Sequence, residues 1–270
     1  MGGKTVSVSR QVQLISSRNG SQSHQQDKVA VEVPVALTYN KRSHVVMMVT
    51  PTALEDFATG FSLTEGIIRE LTDILDIAVL ERKNGLEVAM TVTEECFKQL
   101  DSQRRNLVGR TGCGLCGAES LDQAIRTPAV VDSRVVVKAT ALQTAVLSLN
   151  VHQPLQLVTG AVHGAAWCNN AGEILTLCED VGRHIALDKL IGYLFRTGFD
   201  SSSGFVLISS RASYEMVHKA AAVGVEVLVS VSAPTSLAID LAHRSGITLV
   251  GFARPGRHNI YTFESRISDA

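Results

Sequence analysis

The run FVLISSRASYEMVHKAAAVGVEVLVSVSAPTSLAIDLAHRSGITLVGF, residues 205–252, decides the fold. Phe205 to Ser209 is a short apolar run, and Ser213 to Val223 follows it with helical spacing. The alternation repeats in strand Val225 to Val231, helix Ser236 to Ser245 and strand Ile247 to Phe252. Short apolar strands alternating with amphipathic helices predict a largely parallel sheet covered on both faces. Upstream, the same rhythm predicts a strand at Ile174 to Cys178 leading into a helix over Gly182 to Phe195. Before that it predicts a helix over Ala141 to Leu149 and a strand over Leu155 to Thr159.

The first half reads differently. Val29 to Leu37 and Val45 to Val49 suit strands, and Thr52 with Glu55 has the spacing of a helix capping box. Leu54, Phe57, Ala58 and Phe61 fall on one face of that helix, which ends at Gly66-Ile67-Ile68. Ile77 to Leu80 and Leu86 to Val92 predict a hairpin around Asn84-Gly85, with a short helix from Glu94 to Arg105. Val108 to Gly117, VGRTGCGLCG, lacks periodicity and is rich in glycine, so a loop is expected. Residues 28–130 are therefore expected to form a smaller α+β domain ending in this loop. Residues 131–270 are expected to form the α/β domain. Residues 1–27, rich in Ser, Gln and Asn, are expected to be a disordered tail.

Composition narrows the function. The 270 residues are 45% hydrophobic and 19% charged, with a formal net charge of -1. That length can bury a substantial core, and that balance does not suggest a nucleic-acid binder or a membrane-surface protein. No apolar run approaches the roughly 20 residues of a membrane span, and the N-terminus lacks an apolar secretory core. A cytoplasmic location with reduced thiols is expected, and five cysteines, an odd number, argue against a disulfide framework.

In open α/β sheets, ligands sit beyond the carboxyl ends of the strands. The residues there are Glu179-Asp180-Val181-Gly182-Arg183-His184, Ser210-Arg211-Ala212-Ser213, Ser232-Ala233-Pro234-Thr235 and Ala253-Arg254-Pro255-Gly256-Arg257. Three of the four carry arginine, and the first three open helices. Helix N-termini offer free amides and partial positive charge, and arginine matches phosphate oxygens. Together they describe a site for a large anion. Taken singly, the Ser, Asp and Thr residues fit ordinary helix caps equally well. Neither G-x-G-x-x-G nor a Walker A sequence is present, so neither NAD nor ordinary P-loop chemistry has support.

Cys113-Gly114-Leu115-Cys116 is the sharpest local feature. Glycines leave both thiols unhindered, as a carrier that must reach a donor and then an acceptor requires, and Arg110 is a nearby candidate in the sequence for lowering a thiol pKa. A structural zinc site needs more ligands, with Cys168, Cys178 and His163 poorly spaced to supply them. A thioredoxin-like pair needs a strand before it and a helix after it. Cys96, Cys168 and Cys178 lie in apolar surroundings and suit a core. His163 lacks the Glu two residues on that zinc nucleobase deaminases use, so no zinc is expected. His184 and Asp188 have the i,i+4 spacing of a helix-face pair, and His184 suits a structural role as well.

These motifs together resemble the formate dehydrogenase accessory sulfurtransferase family, FdhD. The resemblance rests on Gly60-Phe61, Thr64-Glu65-Gly66-Ile67-Ile68, Gly112 to Gly117, Thr159-Gly160-Ala161-Val162-His163 and Glu179 to His184. It continues through Ser209-Ser210-Arg211, Glu215-Met216-Val217, Ser232 to Thr235 and Gly251-Phe252-Ala253-Arg254. It implies a sulfur carrier that takes persulfide sulfur from a cysteine desulfurase. The sulfur then passes to the molybdenum cofactor, a bis(molybdopterin guanine dinucleotide), bound for formate dehydrogenase.

It also implies a three-layer, cytidine-deaminase-like α/β domain, a homodimer, and a guanine nucleotide such as GDP as a mimic of the ligand. Cys113 matches the persulfide-forming cysteine, and Cys116 the second cysteine of the motif. Phe252, Ala253, Arg254, Pro255, Gly256 and Arg257 match the cofactor-binding segment, with Ser210, Arg211, His163 and Arg183 expected beside it. Ile185 stands where asparagine often follows the histidine, and Ser210 where glycine often precedes the arginine; both bear on how the ligand is held.

Two rivals stand beside this sulfurtransferase. One is a molybdenum-cofactor-binding chaperone without sulfur chemistry. The other is a guanine-nucleotide hydrolase, for which the sequence offers neither a metal cluster nor a convincing base.

Overall fold

The computed structural model describes residues 7–104, 130–131, 135–198 and 200–269. The Cys113–Cys116 loop, and with it the division expected near residue 130, falls at or beyond the edge of these residues.

Within the stretch expected to be a tail, residues 9–30 form a hairpin: β1 (Ser9–Arg18) and β2 (Ser21–Ala30) pair antiparallel. The turn is Asn19-Gly20, with both residues at positive φ (50° and 82°), the combination that suits a two-residue hairpin loop. Polar composition hid it, because Val12 and Leu14 are the only aliphatic side chains of β1 that are half-buried.

β3 (Val33–Tyr39), β4 (Arg42–Val49), β5 (Ile74–Arg82) and β6 (Gly85–Val92) form a sheet in the order β4-β3-β6-β5. The predicted β5–β6 hairpin is present, and Arg82 faces Gly85, so the loop is Lys83-Asn84. Between β4 and β5 lies α1 (Leu54–Thr64). Thr52 does not cap it; the residue before the helix is Ala53 at φ 49°, and the Thr52 hydroxyl lies 3.5 Å from Lys189 Nζ. α2 (Glu94–Arg104) follows β6.

The second half begins with β7 (Val137–Lys138) and α3 (Ala139–Ser148). Next comes α4 (Pro154–Thr159), where a strand is expected from sequence. Pro154 sits in its first turn and Gly160 ends it in the left-handed region. The amides of Leu155 and Gln156 donate to the Glu179 carboxylate at 2.9 and 2.8 Å. A distant side chain thus caps a helix whose own residues alternate like a strand.

The chain continues with β8 (His163–Asn169), β9 (Ile174–Asp180), α5 (Arg183–Thr197), β10 (Gly204–Ile208) and α6 (Tyr214–Ala222). It ends with β11 (Val227–Ser230), α7 (Ser236–Ser245), β12 (Thr248–Arg254), β13 (Arg257–Ile260) and β14 (Ile267–Ser268). The main sheet runs β13-β12-β11-β10-β8-β9. Only β10, β11 and β12 are mutually parallel; β8, β9 and β13 join by antiparallel pairing. The sheet is therefore mixed, not largely parallel. Hairpins at both margins account for the difference, since a tight turn forces antiparallel neighbours.

Both faces of this sheet are buried. Ala165, Trp167, Val206, Ile208, Leu228 and Leu249 pack with Leu187, Leu190, Met216, Val217 and Leu241 of α5, α6 and α7. Ala166, Cys168, Phe205, Leu207, Val229 and Val250 pack with Leu142, Ala145 and Val146 of α3. Strict alternation along each strand feeds helices on both sides, so this half has three layers.

The first of these cores runs on into the smaller sheet through Val35, Leu37, Tyr39, Phe57, Val88 and Met90. Helices α1 and α5 join the two sheets at close range. A Cβ on Gly60 would strike the Asp188 carbonyl oxygen, and one on Gly192 the Asp56 carbonyl oxygen. Backbone cannot yield as a side-chain tip can, so Gly192→Ala is expected to destabilise the fold by about 1–3 kcal/mol. A chemical denaturation midpoint unchanged from the parent chain would contradict the close contact.

Buried charges pin the same junction. Lys189 Nζ lies 2.7 Å from Asp180 Oδ2 and donates to the Thr50 carbonyl at 2.8 Å. Lys219 Nζ lies 3.0 Å from Asp188 Oδ2 and 2.9 Å from Thr64 Oγ1.

Candidate functional site

Three groups of polar residues stand along the carboxyl-terminal edge of β10, β11 and β12. The first is built from β8, α5 and α6. Antiparallel pairing brings the start of β8 to this edge, so His163 faces Asp180 and Gly164 exchanges hydrogen bonds with Ser209. Asp180 accepts from the amides of Thr50 (3.0 Å) and Gly182 (2.8 Å), which fixes where α5 begins. Arg183 and His184 occupy the first turn of α5, where no acidic residue and no side-chain cap is present.

His184 does not pair with Asp188, although the spacing allows it. His184 Nε2 lies 2.8 Å from Glu215 Oε2 on α6, and Asp188 is taken by Lys219 and Thr64. The Ser213 hydroxyl also donates to Glu215, at 3.4 Å. Burial pushes the Glu215 carboxyl up, but its contact with His184 and the charges of His184 and Arg183 outweigh burial and leave it low. His163 is lowered, first by burial and then by the nearby charges of Arg183 and His184. Arg183 Nε is buried without a hydrogen-bond partner among the described residues.

The second group follows β10 and β11. Arg211 is exposed, whereas Ser210 is buried and its hydroxyl donates to the Arg211 carbonyl at 3.0 Å. Ser230 Oγ donates to the Ser210 carbonyl at 2.7 Å, so this turn is tied to its neighbour. Of the helices that open here, α7 has a conventional cap: the Thr235 hydroxyl accepts from the Ala238 amide at 3.3 Å.

The third group is the β12–β13 hairpin. Arg254 pairs with Arg257 across Pro255-Gly256, and Gly256 takes φ 78°. Gln143 of α3 braces the turn, accepting from the Gly256 amide at 2.8 Å. Phe252 sits in a bulge at φ 50°, a costly conformation for an aromatic residue, and its side chain reaches solvent. Ala253 is fully buried and belongs to the core on the α3 side of the sheet.

The expected residues thus divide. The charge of Arg183 reaches His163, Arg211 follows β10 between β8 and β12, and Arg254 and Arg257 stand at the far margin. From β8 to β12 there are three inter-strand steps of about 4.8 Å, or roughly 14 Å. Cationic groups spread over that length suit an extended, multiply charged ligand better than a single phosphate. Glu215 and Ser213 are additions; the signal for them in the sequence is an acid in the first turn of a helix opening at a strand end.

Cys113 and Cys116 lie outside the described residues. The remaining cysteines behave as the sequence suggests. Cys96 and Cys168 are buried, and Cys178 packs against the core. Burial raises all three thiols, Cys178 to about 12, so none forms a thiolate readily.

The profile of the FdhD/NarQ family matches residues 30–268. A sulfur carrier protein FdhD from Cupriavidus necator is 52% identical over 241 residues, 89% of this chain and 84% of that protein. One of the same name from Xanthomonas euvesicatoria pv. vesicatoria is 47% identical over 250 residues, 93% and 89% of the two chains. A crystal structure described as a formate dehydrogenase accessory protein, from Desulfotalea psychrophila, superposes with a TM-score of 0.75 at 26% identity. It covers 97% of this chain and 100% of its own. With the family profile and both relatives matching nearly the whole chain, the chain belongs to the FdhD/NarQ family.

Proposed function

We propose that this chain is a cytoplasmic sulfur carrier, a sulfurtransferase that accepts persulfide sulfur from a cysteine desulfurase on Cys113. It passes that sulfur to the molybdenum cofactor, a bis(molybdopterin guanine dinucleotide) bound as substrate, before insertion into formate dehydrogenase. Cys116 receives or releases sulfur beside Cys113, and the chain works as a homodimer. The observation that carries the reading is similarity across nine-tenths of the chain to a protein named a sulfur carrier. The raised thiols of Cys96, Cys168 and Cys178 support assigning the chemistry to the Cys113–Cys116 pair. The mixed sheet between helix layers supports the cytidine-deaminase-like arrangement for the second half.

The residues present fit an anionic dinucleotide. Arg183, whose Nε is buried and unpartnered among the described residues, and Arg211, Arg254 and Arg257 would hold its phosphates, with the exposed Phe252 ring available to a flat base. GDP tests this. Replacing Arg254 and Arg257 together with Gln is expected to weaken GDP binding roughly ten- to a hundredfold, the loss of one or more charge-assisted hydrogen bonds. Equal affinity in calorimetry would remove the hairpin from the site.

A further inference from the structure

We propose that Gln153 is a ligand-binding residue, its side-chain Nε2 donating to an oxygen of the anionic ligand. This rests on the anion site described above and adds a donor to it. Gln153 immediately precedes α4, and its backbone is fully used. Its amide donates to the Asn150 carbonyl at 3.1 Å, and its carbonyl accepts from the Leu157 amide at 2.9 Å. A polar side chain just before a helix commonly caps it. Gln153 makes no such cap, because the Glu179 carboxylate holds the Leu155 and Gln156 amides instead. The carboxamide is thereby left without a task at the helix end.

That carboxamide is nevertheless buried. Gln153 is 2% exposed, and its Nε2 has no hydrogen-bond partner among the described residues. A buried donor without an acceptor is costly, and an apolar side chain of the same length would avoid the cost. An acceptor that arrives from outside the chain accounts for the polar group.

Its place in the fold points to the ligand. A Cβ on Gly164 would lie 2.6 Å from Gln153 Nε2, so the carboxamide stands against the Gly164 backbone, a close approach that glycine permits. Gly164 lies where β8 meets the carboxyl end of β10. Its amide donates to Ser209 Oγ at 2.9 Å, and its carbonyl accepts from the Ser209 amide at 2.9 Å. This is the edge along which the arginines stand. Gly164 alternates with Ala165, which packs on the α5 side, and so belongs to the α3 side with Ala166. Arg183, with its own unpartnered Nε, opens α5 on the other side. Each side of the sheet thus brings one buried, unpartnered donor to this edge. A neutral carboxamide adds a donor without adding charge, and it suits either a phosphate oxygen or a ring carbonyl oxygen.

GDP and inorganic pyrophosphate are the probes, measured by calorimetry on the full chain and on Gln153→Met, a replacement of similar length without a donor. The expected result is GDP affinity weaker by roughly three- to tenfold, the loss of about one hydrogen bond. The urea midpoint of the variant should equal or exceed that of the parent chain, because no bond within the chain is lost. A purely structural glutamine would show the reverse, a lowered midpoint with unchanged affinity, and that result would overturn the proposal. If pyrophosphate weakens alike, the oxygen belongs to a phosphate; if GDP alone weakens, it belongs to the ring. Unchanged affinity for both probes, with the Arg254 and Arg257 double variant still weakened, would overturn the Gln153 contact and spare the anion site. Failure of GDP to bind the parent chain would overturn the anion site, and this contact with it. Should Gln153→Met not fold, a crystal structure of the parent chain with GDP decides. A ligand oxygen within hydrogen-bond distance of Nε2 would sustain the contact, and a water or a chain acceptor in that place would overturn it.

Discussion

Formate dehydrogenase in a strain that depends on this chain is expected to lose its activity when Cys113 is replaced with Ala, while GDP binding by the purified variant stays intact. The expectation separates two jobs. Carriage needs an accessible thiol that can become a thiolate, and Cys96, Cys168 and Cys178 all lie in or against the core with raised pKa values. In the proposed reading, ligand binding depends on groups at the strand ends, remote in sequence from the cysteine loop. The rival cofactor-binding chaperone makes the opposite forecast. It expects a Cys113→Ser, Cys116→Ser double variant to activate the dehydrogenase as well as the parent chain. Full activity in that variant would sink the carrier reading and leave the anion site standing.

The second large effect is on stability. Lys219 of α6 is buried against α1 and α5, 3.0 Å from Asp188, 2.9 Å from Thr64 and 3.2 Å from Glu65, with its ammonium over the Phe61 ring. Burial pulls its pKa down, but the charges of Asp188 and Glu65 outweigh this and hold it above the ordinary lysine value. Lys219→Met would leave Asp188 fully buried without its counter-charge. Removing one partner of a buried pair costs about 3–5 kcal/mol. Changing Asp188 to Leu in the same chain should recover much of that loss, because an apolar replacement of the whole pair is often neutral. Denaturant unfolding of the two variants checks this. A loss below about 1 kcal/mol in Lys219→Met would indicate that water reaches Asp188.

These predictions draw on features of unequal legibility in the sequence. The strands and helices from Ile174 to Phe252 were readable because their apolar runs and helical faces are strong. β8 was not. His163-Gly164-Ala165-Ala166-Trp167-Cys168-Asn169 has small residues and no β-branched side chain, and it becomes a strand by lying between β9 and β10. β13, four mostly polar residues, gives no periodic signal either. α4 was misread because Leu155, Leu157 and Thr159 alternate, while the group that makes it a helix, the Glu179 carboxylate, is 24 residues away from Leu155. The first hairpin carried a usable signal in Asn19-Gly20, overridden by polar flanks.

The site shows the same division. Arginines at strand ends could be listed from sequence, since topology carries them to one edge. Their partners could not. The i,i+4 spacing of His184 and Asp188 is a local cue, and a contact 31 residues apart, between His184 and Glu215, displaces it. Ser210 and Ala253 were reasonable members of a ligand segment, yet both side chains point into the protein, which only packing reveals.

The most direct measurement is the intact mass of the protein after incubation with a cysteine desulfurase and cysteine, beside the Cys113→Ala variant treated alike. Sulfur carriage on Cys113 predicts a mass gain of about one sulfur atom that reductant reverses and the variant lacks. No gain with an active desulfurase, or an equal gain in the variant, would contradict it.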